Sequence, residues 1–134
     1  MKINIYTDGS SKGNPGKGGY GVIIKALNKT LELSQGYRLT TNNRMELLAV
    51  IIGLESINKN HQDITITSDS KYVIDSVEKG WVFNWEKKGF QKKKNPDLWK
   101  RFLIVYRKHN INFKWIRGHS GHEENERCDK LAVD

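Results

Sequence analysis

Apolar positions in the first forty residues recur every second place, and the period then changes. Ile3, Ile5 and Thr7 share one face of a strand over residues 2 to 8, and similar runs predict strands over about 19 to 27 and 31 to 39. A Gly-rich bend from Gly9 to Gly19 separates the first two, and the short Asn28-Lys29 turn joins the second and third as an antiparallel hairpin. From Thr41 to about Asn58, Met45, Leu48, Ala49 and Ile52 follow a helical period, with Thr41 or Asn42 able to cap it. Asp63 to Ser68 returns to period two, and Ser70 to Lys79 reads as a short helix. After a loop, Asn95-Pro96-Asp97 starts a helix running to about Lys108, with Asn95 as cap and proline in the first helical position. Ile111, Phe113 and Trp115 form a fifth strand, and a helical segment around Asp129 follows. Long crossovers make strands four and five parallel to a neighbour, so the pattern predicts an α/β fold: a mixed five-stranded sheet flanked by helices.

Onto this frame fall four carboxylates. Asp8 follows Ile3, Ile5 and Thr7, and Asp69 follows Ile64, Ile66 and Ser68, so each stands at the carboxyl end of a half-buried strand, where α/β sheets gather ligands. Glu46 lies early in the first helix and Asp129 in the last. If the two strands pair in parallel, the acids repel unless a cation neutralises them or one takes up a proton. A hard divalent ion with oxygen ligands is the simplest resolution, and such a set suits a metal-dependent nuclease. Asn125, Glu126 and Asp129 share one helical face, and His119 stands near enough in sequence to move protons beside a metal-bound carboxylate.

The chain has 134 residues, the length of one ordinary domain, and residues 1–134 are taken as a single unit. Met1 to Ile5 runs straight into a strand without a signal-like apolar stretch, and no segment nears the ~20 apolar residues of a membrane span. The expectation is a soluble, cytoplasmic protein, monomeric, with no membrane partner. Cys128 is the one cysteine, so no intrachain disulfide can form.

The net charge of +8 is concentrated. Between Lys79 and Arg101 lie eight basic residues and two acids, +6 of the total, interleaved with Trp81, Trp85, Phe90 and Trp99. Charge for phosphates beside flat apolar faces suits nucleic acid, while a solvated lysine loop beside core tryptophans is the plainer alternative. Trp81 and Trp85 are four apart, the spacing of one helical face.

Other motifs fail on context. Gly16-Lys17-Gly18-Gly19-Tyr20-Gly21 matches GxGxxG but leads into a strand, and Gly13-Asn14-Pro15-Gly16-Lys17 lacks the hydroxyl residue a P-loop needs after its lysine. That loop reads instead as a tight turn bringing backbone and Asn14 close to a ligand. Asp8-Gly9 is not a two-residue hairpin turn, because the next strand is expected about ten residues later. One cysteine beside His119 and His122 does not make a closed zinc site. Metal-free RNA cleavage by paired histidines would leave four acids without a role.

Taken together, Tyr6-Thr7-Asp8-Gly9-Ser10, Thr41-Asn42-Asn43-Arg44-Met45-Glu46, Thr67-Ser68-Asp69-Ser70-Lys71-Tyr72 and Gly118-His119-Ser120-Gly121-His122 through Asn125-Glu126-Arg127-Cys128-Asp129 resemble type 1 ribonuclease H, in order and over essentially the whole chain. The segment Trp81 to Lys94, within a basic stretch of about residues 80–96, is similar to the handle of the bacterial ribonuclease HI group. The resemblance implies sheet order 3-2-1-4-5, two Mg²⁺ ions with Mn²⁺ as an alternative, and endonucleolytic hydrolysis of the RNA strand of an RNA/DNA hybrid to 5′-phosphate and 3′-hydroxyl ends. It implies Asp8, Glu46, Asp69 and Asp129 as metal ligands and His119 as a mobile proton carrier. Asn14, Asn43 and the bend carrying Gly9, Ser10 and Ser11 would sense 2′-hydroxyls. Thr41 and Asn14 would hold a DNA phosphate, Asn42 and Lys71 would add substrate contacts, and Trp81, Trp85, Lys87 and Lys88 would steer the DNA strand.

The sequence departs from the pattern in places. Leu39 stands where the family often has an arginine, and Arg38, one residue away, would point to the other side of a regular strand. Lys71 replaces a frequent glutamine, Glu86 adds a negative charge to the handle, and five residues follow Asp129, which predicts a short last helix. A non-catalytic binding module on this fold would tolerate loss of acids, yet all four are present. Resolvases and transposases share the carboxylate site but not the Asn14, Asn43 and handle matches.

Overall fold

The computed structural model describes residues 2–118 and 121–133. Three long antiparallel strands come first: β1 (Lys2–Gly13), β2 (Gly16–Ala26) and β3 (Lys29–Thr40). Helix α1 (Asn42–Glu55) leads to β4 (Asp63–Ser68), then α2 (Lys71–Glu78), α3 (Trp81–Lys87), α4 (Pro96–Tyr106), β5 (Asn110–Trp115) and α5 (Glu123–Val133). The sheet order is β3-β2-β1-β4-β5, with β4 parallel to both β1 and β5, as expected.

Two expectations about the first strands are corrected. Strand β1 does not stop at Asp8; it continues five residues, pairing Asp8 with Gly21 and Gly13 with Gly16, so the expected bend is a long hairpin arm turning at Asn14-Pro15. Glycine permits extended structure, and with β2 already alongside, the ladder simply continues. The β2–β3 turn also falls one residue early, at Leu27-Asn28, with Leu27 in the left-handed region at φ 53°.

Helix α1 opens on Thr41, whose Oγ1 accepts from the Arg44 amide at 3.2 Å, so Thr41 and not Asn42 is the cap. It is apolar nearly all round, burying Met45, Leu47, Leu48, Ala49, Val50, Ile51 and Leu54, because it lies between the sheet and α4. Helix α5 packs against β1 and β2. It comes so close that a Cβ on Gly21 would sit 2.2 Å from the Cys128 carbonyl oxygen.

The segment expected as a loop before α4 contains α3, and Trp99 organises it. Trp99 is fully buried, meets Trp85 edge-on with ring centroids 5.9 Å apart, and donates from Nε1 to the Tyr72 hydroxyl at 2.9 Å. Asn95 does not cap α4 with its side chain. Its amide donates to the same hydroxyl at 3.1 Å and its Oδ1 accepts from Arg44, which also forms a two-pronged pair with Asp97. The first turns of α1 and α4 are thereby joined by charge-assisted bonds.

Candidate active site

The parallel register accounts for the position of the first two acids. Tyr6 lies opposite Thr67 at the last β1–β4 pair, so Asp8 and Asp69 each stand two residues further on, level with one another. Beyond this point β1 stays with β2 while β4 turns into α2. In the resulting split, Asn125 of α5 donates from its amide to the Thr7 carbonyl at 3.2 Å and the Thr67 carbonyl at 3.3 Å. One side chain thus satisfies an oxygen on each diverging strand and holds the gap at a fixed width.

Glu46 reaches the same point from α1. The helix can approach because residue 9 is glycine: a Cβ there would lie 2.3 Å from the Met45 carbonyl carbon. The Gly9 amide donates to Glu46 Oε1 and, at 3.0 Å, to Asp8 Oδ1. Ligand oxygens of Asp8, Glu46 and Asp69 lie within 4.8 Å of one another. Asp129 of α5 lines the same open cleft of about 240 Å³ with Gly9, Ser10 and Asn42, outside that tightest group.

The electrostatics follow from this crowding. Glu46 is only 4% exposed, and burial, with Asp8 and Asp69 beside it, pushes its carboxyl well above the usual range. Asp8 is pushed up to about 7, chiefly by burial and further by Asp69 and Asp129. The carboxylate oxygens of Asp8, Glu46 and Asp69 are three hard donors crowded at one point, and they fit a divalent cation, which would neutralise the repulsion that burial intensifies.

The remaining candidates divide. Asn14, Thr41, Asn42 and Asn43 meet in an open groove of about 350 Å³, whose other wall is Lys93, Lys94, Asn95 and Pro96. Asn95 in that groove was missed, since its position before proline marked it as a cap. Ser10 lines the acidic cleft, whereas the Ser11 hydroxyl donates to the Gly13 carbonyl at 2.7 Å within its own turn. His119 lies outside the described residues. Arg38 and Leu39 are both exposed, and a register shift between Gly16 and Gly18 falls opposite them, so simple alternation does not set their directions.

On the basic segment, Trp81 is 46% exposed with the Lys79 ammonium 5.3 Å from its ring, while Trp85 turns inward to Trp99. They therefore do not present one common contact surface. Lys87 and Lys88 are exposed. Glu86, the acid that seemed to oppose the lysines, is gripped by both Arg107 nitrogens at 2.9 and 2.6 Å, which lowers its pKa and occupies its charge. Cys128 is buried, its thiol donating to the Tyr6 carbonyl at 3.2 Å, and burial pushes it up to about 12. That suits packing rather than metal or redox chemistry. Among the described residues no helix is long and apolar enough to cross a membrane.

A family model described as RNase H matches residues 1–134. A ribonuclease H of Trichodesmium erythraeum is 53% identical over 137 positions, covering 98% of this chain and 87% of the relative. One of Desulforamulus reducens is 50% identical over 98% of this chain and 86% of its own. Among solved structures, LC9-RNase H1, a type 1 RNase H with the type 2 active-site motif, aligns at TM-score 0.88 and 30% identity over 98% of this chain and 70% of its own. LC11-RNase H1 in complex with an RNA/DNA hybrid aligns at TM-score 0.71 and 29% identity, covering 98% of this chain and 94% of its own. With the match running the length of the chain and about half of the residues shared with ribonucleases H, the chain belongs to the RNase H family.

Proposed function

We infer that the chain is an endoribonuclease that hydrolyses the RNA strand of RNA/DNA hybrids, leaving 5′-phosphate and 3′-hydroxyl ends. The observation that carries the reading is the carboxylate group of Asp8, Glu46 and Asp69 at the carboxyl edge of the parallel strands, in a chain of the RNase H family. Asp8, Glu46, Asp69 and, across the cleft, Asp129 are the residues that would hold divalent metal. When bound, two Mg²⁺ ions, or Mn²⁺ in their place, supply an activated water and charge stabilisation at the leaving oxygen of an in-line displacement. His119 carries protons to and from this site.

The substrate's two strands meet different surfaces. Gly9, Ser10, Asn42 and Asn43 border the acidic cleft or the adjoining groove and read the RNA strand through its 2′-hydroxyls. Thr41 accepts the helix cap bond with its oxygen and keeps its proton free to donate to a DNA phosphate, with Asn14 and Asn95 alongside. Trp81, Lys87 and Lys88 guide the DNA strand, and Lys71, two residues from Asp69, adds a cation on the RNA side. Residues 1–134 act as one catalytic unit, as a monomer in the cytoplasm.

The test is incubation with an RNA/DNA hybrid, duplex RNA, duplex DNA and single-stranded RNA, each with Mg²⁺ and with EDTA. Cleavage of the hybrid alone, abolished by EDTA, is the expected result. Cleavage of duplex DNA, or cleavage that persists in EDTA, would refute the reading.

A further inference from the structure

Trp115 ends β5 opposite Ser68, and at 45% exposure it is too accessible to serve mainly as core. It nonetheless has two partners, which flank Ser70. Its indole Nε1 donates to the Asp69 carbonyl at 3.2 Å, and the Lys71 ammonium stands 4.8 Å from its ring centroid.

The peptide units around Asp69 are otherwise held from either side. The Ile116 amide donates to the Ser68 carbonyl at 3.0 Å, and the Ser70 amide donates to Ser68 Oγ, also at 3.0 Å. Here the chain leaves the sheet and starts α2, so the Asp69 carboxylate direction depends on how firmly this corner is fixed. Trp115 supplies the bond to the Asp69 carbonyl. Its ring also offers the flexible Lys71 stem a preferred direction, because an aromatic face attracts an ammonium group.

From this geometry we propose that Trp115 is a positioning residue for substrate and metal: its N–H sets the Asp69 carboxylate for a divalent ion, and its ring sets the Lys71 ammonium for a phosphate of the RNA strand. The proposal rests on the hybrid-cleaving reading above for the identity of the polyanion. It separates one side chain into two functions that different substitutions remove.

Trp115→Phe keeps an aromatic face and loses the N–H donor. Trp115→Leu loses both, and Lys71→Gln removes the charge alone. Three readouts are compared with wild type: Mg²⁺ binding to the substrate-free protein by calorimetry, hybrid binding in EDTA across a salt series, and kcat and KM for hybrid with Mg²⁺. Thermal melts confirm that each variant is folded.

Trp115→Phe is expected to weaken Mg²⁺ binding by about tenfold, the scale of losing a group that orients a ligand, and to lower kcat with little change in hybrid binding. Lys71→Gln should weaken hybrid binding in EDTA by about threefold and flatten its salt dependence, leaving Mg²⁺ binding near wild type. Trp115→Leu should show both defects, and adding Lys71→Gln to it should weaken hybrid binding no further. Wild-type Mg²⁺ affinity in Trp115→Phe, or additive hybrid-binding losses in the double variant, would overturn the proposal. A wild-type protein that cleaves no hybrid would instead refute the functional reading, while Mg²⁺ binding would still decide whether Trp115 orients Asp69.

Discussion

In the proposed function the acidic cleft and the basic segment both face a polyanion, and they are built by opposite means. In the cleft, Asp8, Glu46 and Asp69 are drawn together by strand register and a helix start, partly or wholly buried, with Asp8 and Glu46 pushed toward holding their protons. On the segment, Lys87 and Lys88 are solvated, while Trp85 packs on Trp99 with the Lys93 ammonium 5.4 Å from its ring. Burial makes each charge in the cleft strongly dependent on its neighbours, whereas solvent screens the lysines and makes each nearly independent. Single substitutions should therefore be severe in the cleft and graded on the segment.

The sharpest test of that contrast is Asp8→Asn. Removing one carboxylate oxygen weakens the metal site, and hybrid cleavage should fall by ~10³-fold or more, since metal charge stabilisation is worth several kcal/mol. The metal-free variant should melt at or above wild type because repulsion is relieved. Turnover near wild type in Mg²⁺ would remove Asp8 from the ligand set.

Next in size is the pH response of the metal-free protein. Asp8 titrates near 7 in the fold against 3.8 as its ordinary value, so between these limits the folded state holds more protons than the unfolded state. Stability from this group is therefore fully present below about pH 4 and declines as pH rises through 7, by up to a few kcal/mol. Melting curves in EDTA should show a higher Tm at pH 5.5 than at pH 8, a difference that Mg²⁺ or Asp8→Asn reduces. A slope unchanged by either would show that the carboxylates do not set it.

Asn125→Ala tests whether the cleft is held by its frame as well as by its acids. Losing one amide leaves the Thr7 and Thr67 carbonyls without that donor, so unfolding free energy should drop by about 1–3 kcal/mol, measured by urea denaturation. Mg²⁺ affinity should fall with it. Unchanged stability would mean that the strand split is held elsewhere.

The smallest effect belongs to the basic segment. Lys87→Ala with Lys88→Ala should raise KM a few-fold, spare kcat, and flatten the log–log salt dependence of hybrid binding by about 0.9 per lost phosphate contact. Binding measured in EDTA across a salt series checks this. Equal slopes would make the two lysines solvated bystanders and reduce the segment to its aromatic packing.

Much of the fold could be read from period alone. Ile3, Ile5 and Thr7 marked β1, and Ile64, Ile66 and Ser68 marked β4, because these side chains are buried on one face and a one-residue slip would turn that face outward. The same reading stopped β1 at Asp8 because glycine-rich sequence carries no pattern, although the backbone pairs through to Gly13. It also placed α3 in a loop, since its order comes from Trp85 and Phe90 packing into the core around Trp99, contacts remote in sequence.

The site divides along the same line. Chemical type and strand position were enough to single out Asp8 and Asp69, because carboxylates at the carboxyl ends of apolar strands need a neutralising partner wherever they meet, while Glu46 stood out as an acid early in an apolar helix. Their common level, the closeness of α1 at Gly9, the Asn125 clamp, the Arg107 grip on Glu86 and the two contacts of Trp115 were decided by tertiary structure. Each depends on the relative placement of elements far apart in the chain. A residue's chemistry is local to the sequence, but the distance to its partner and the dielectric between them exist only once the chain has packed.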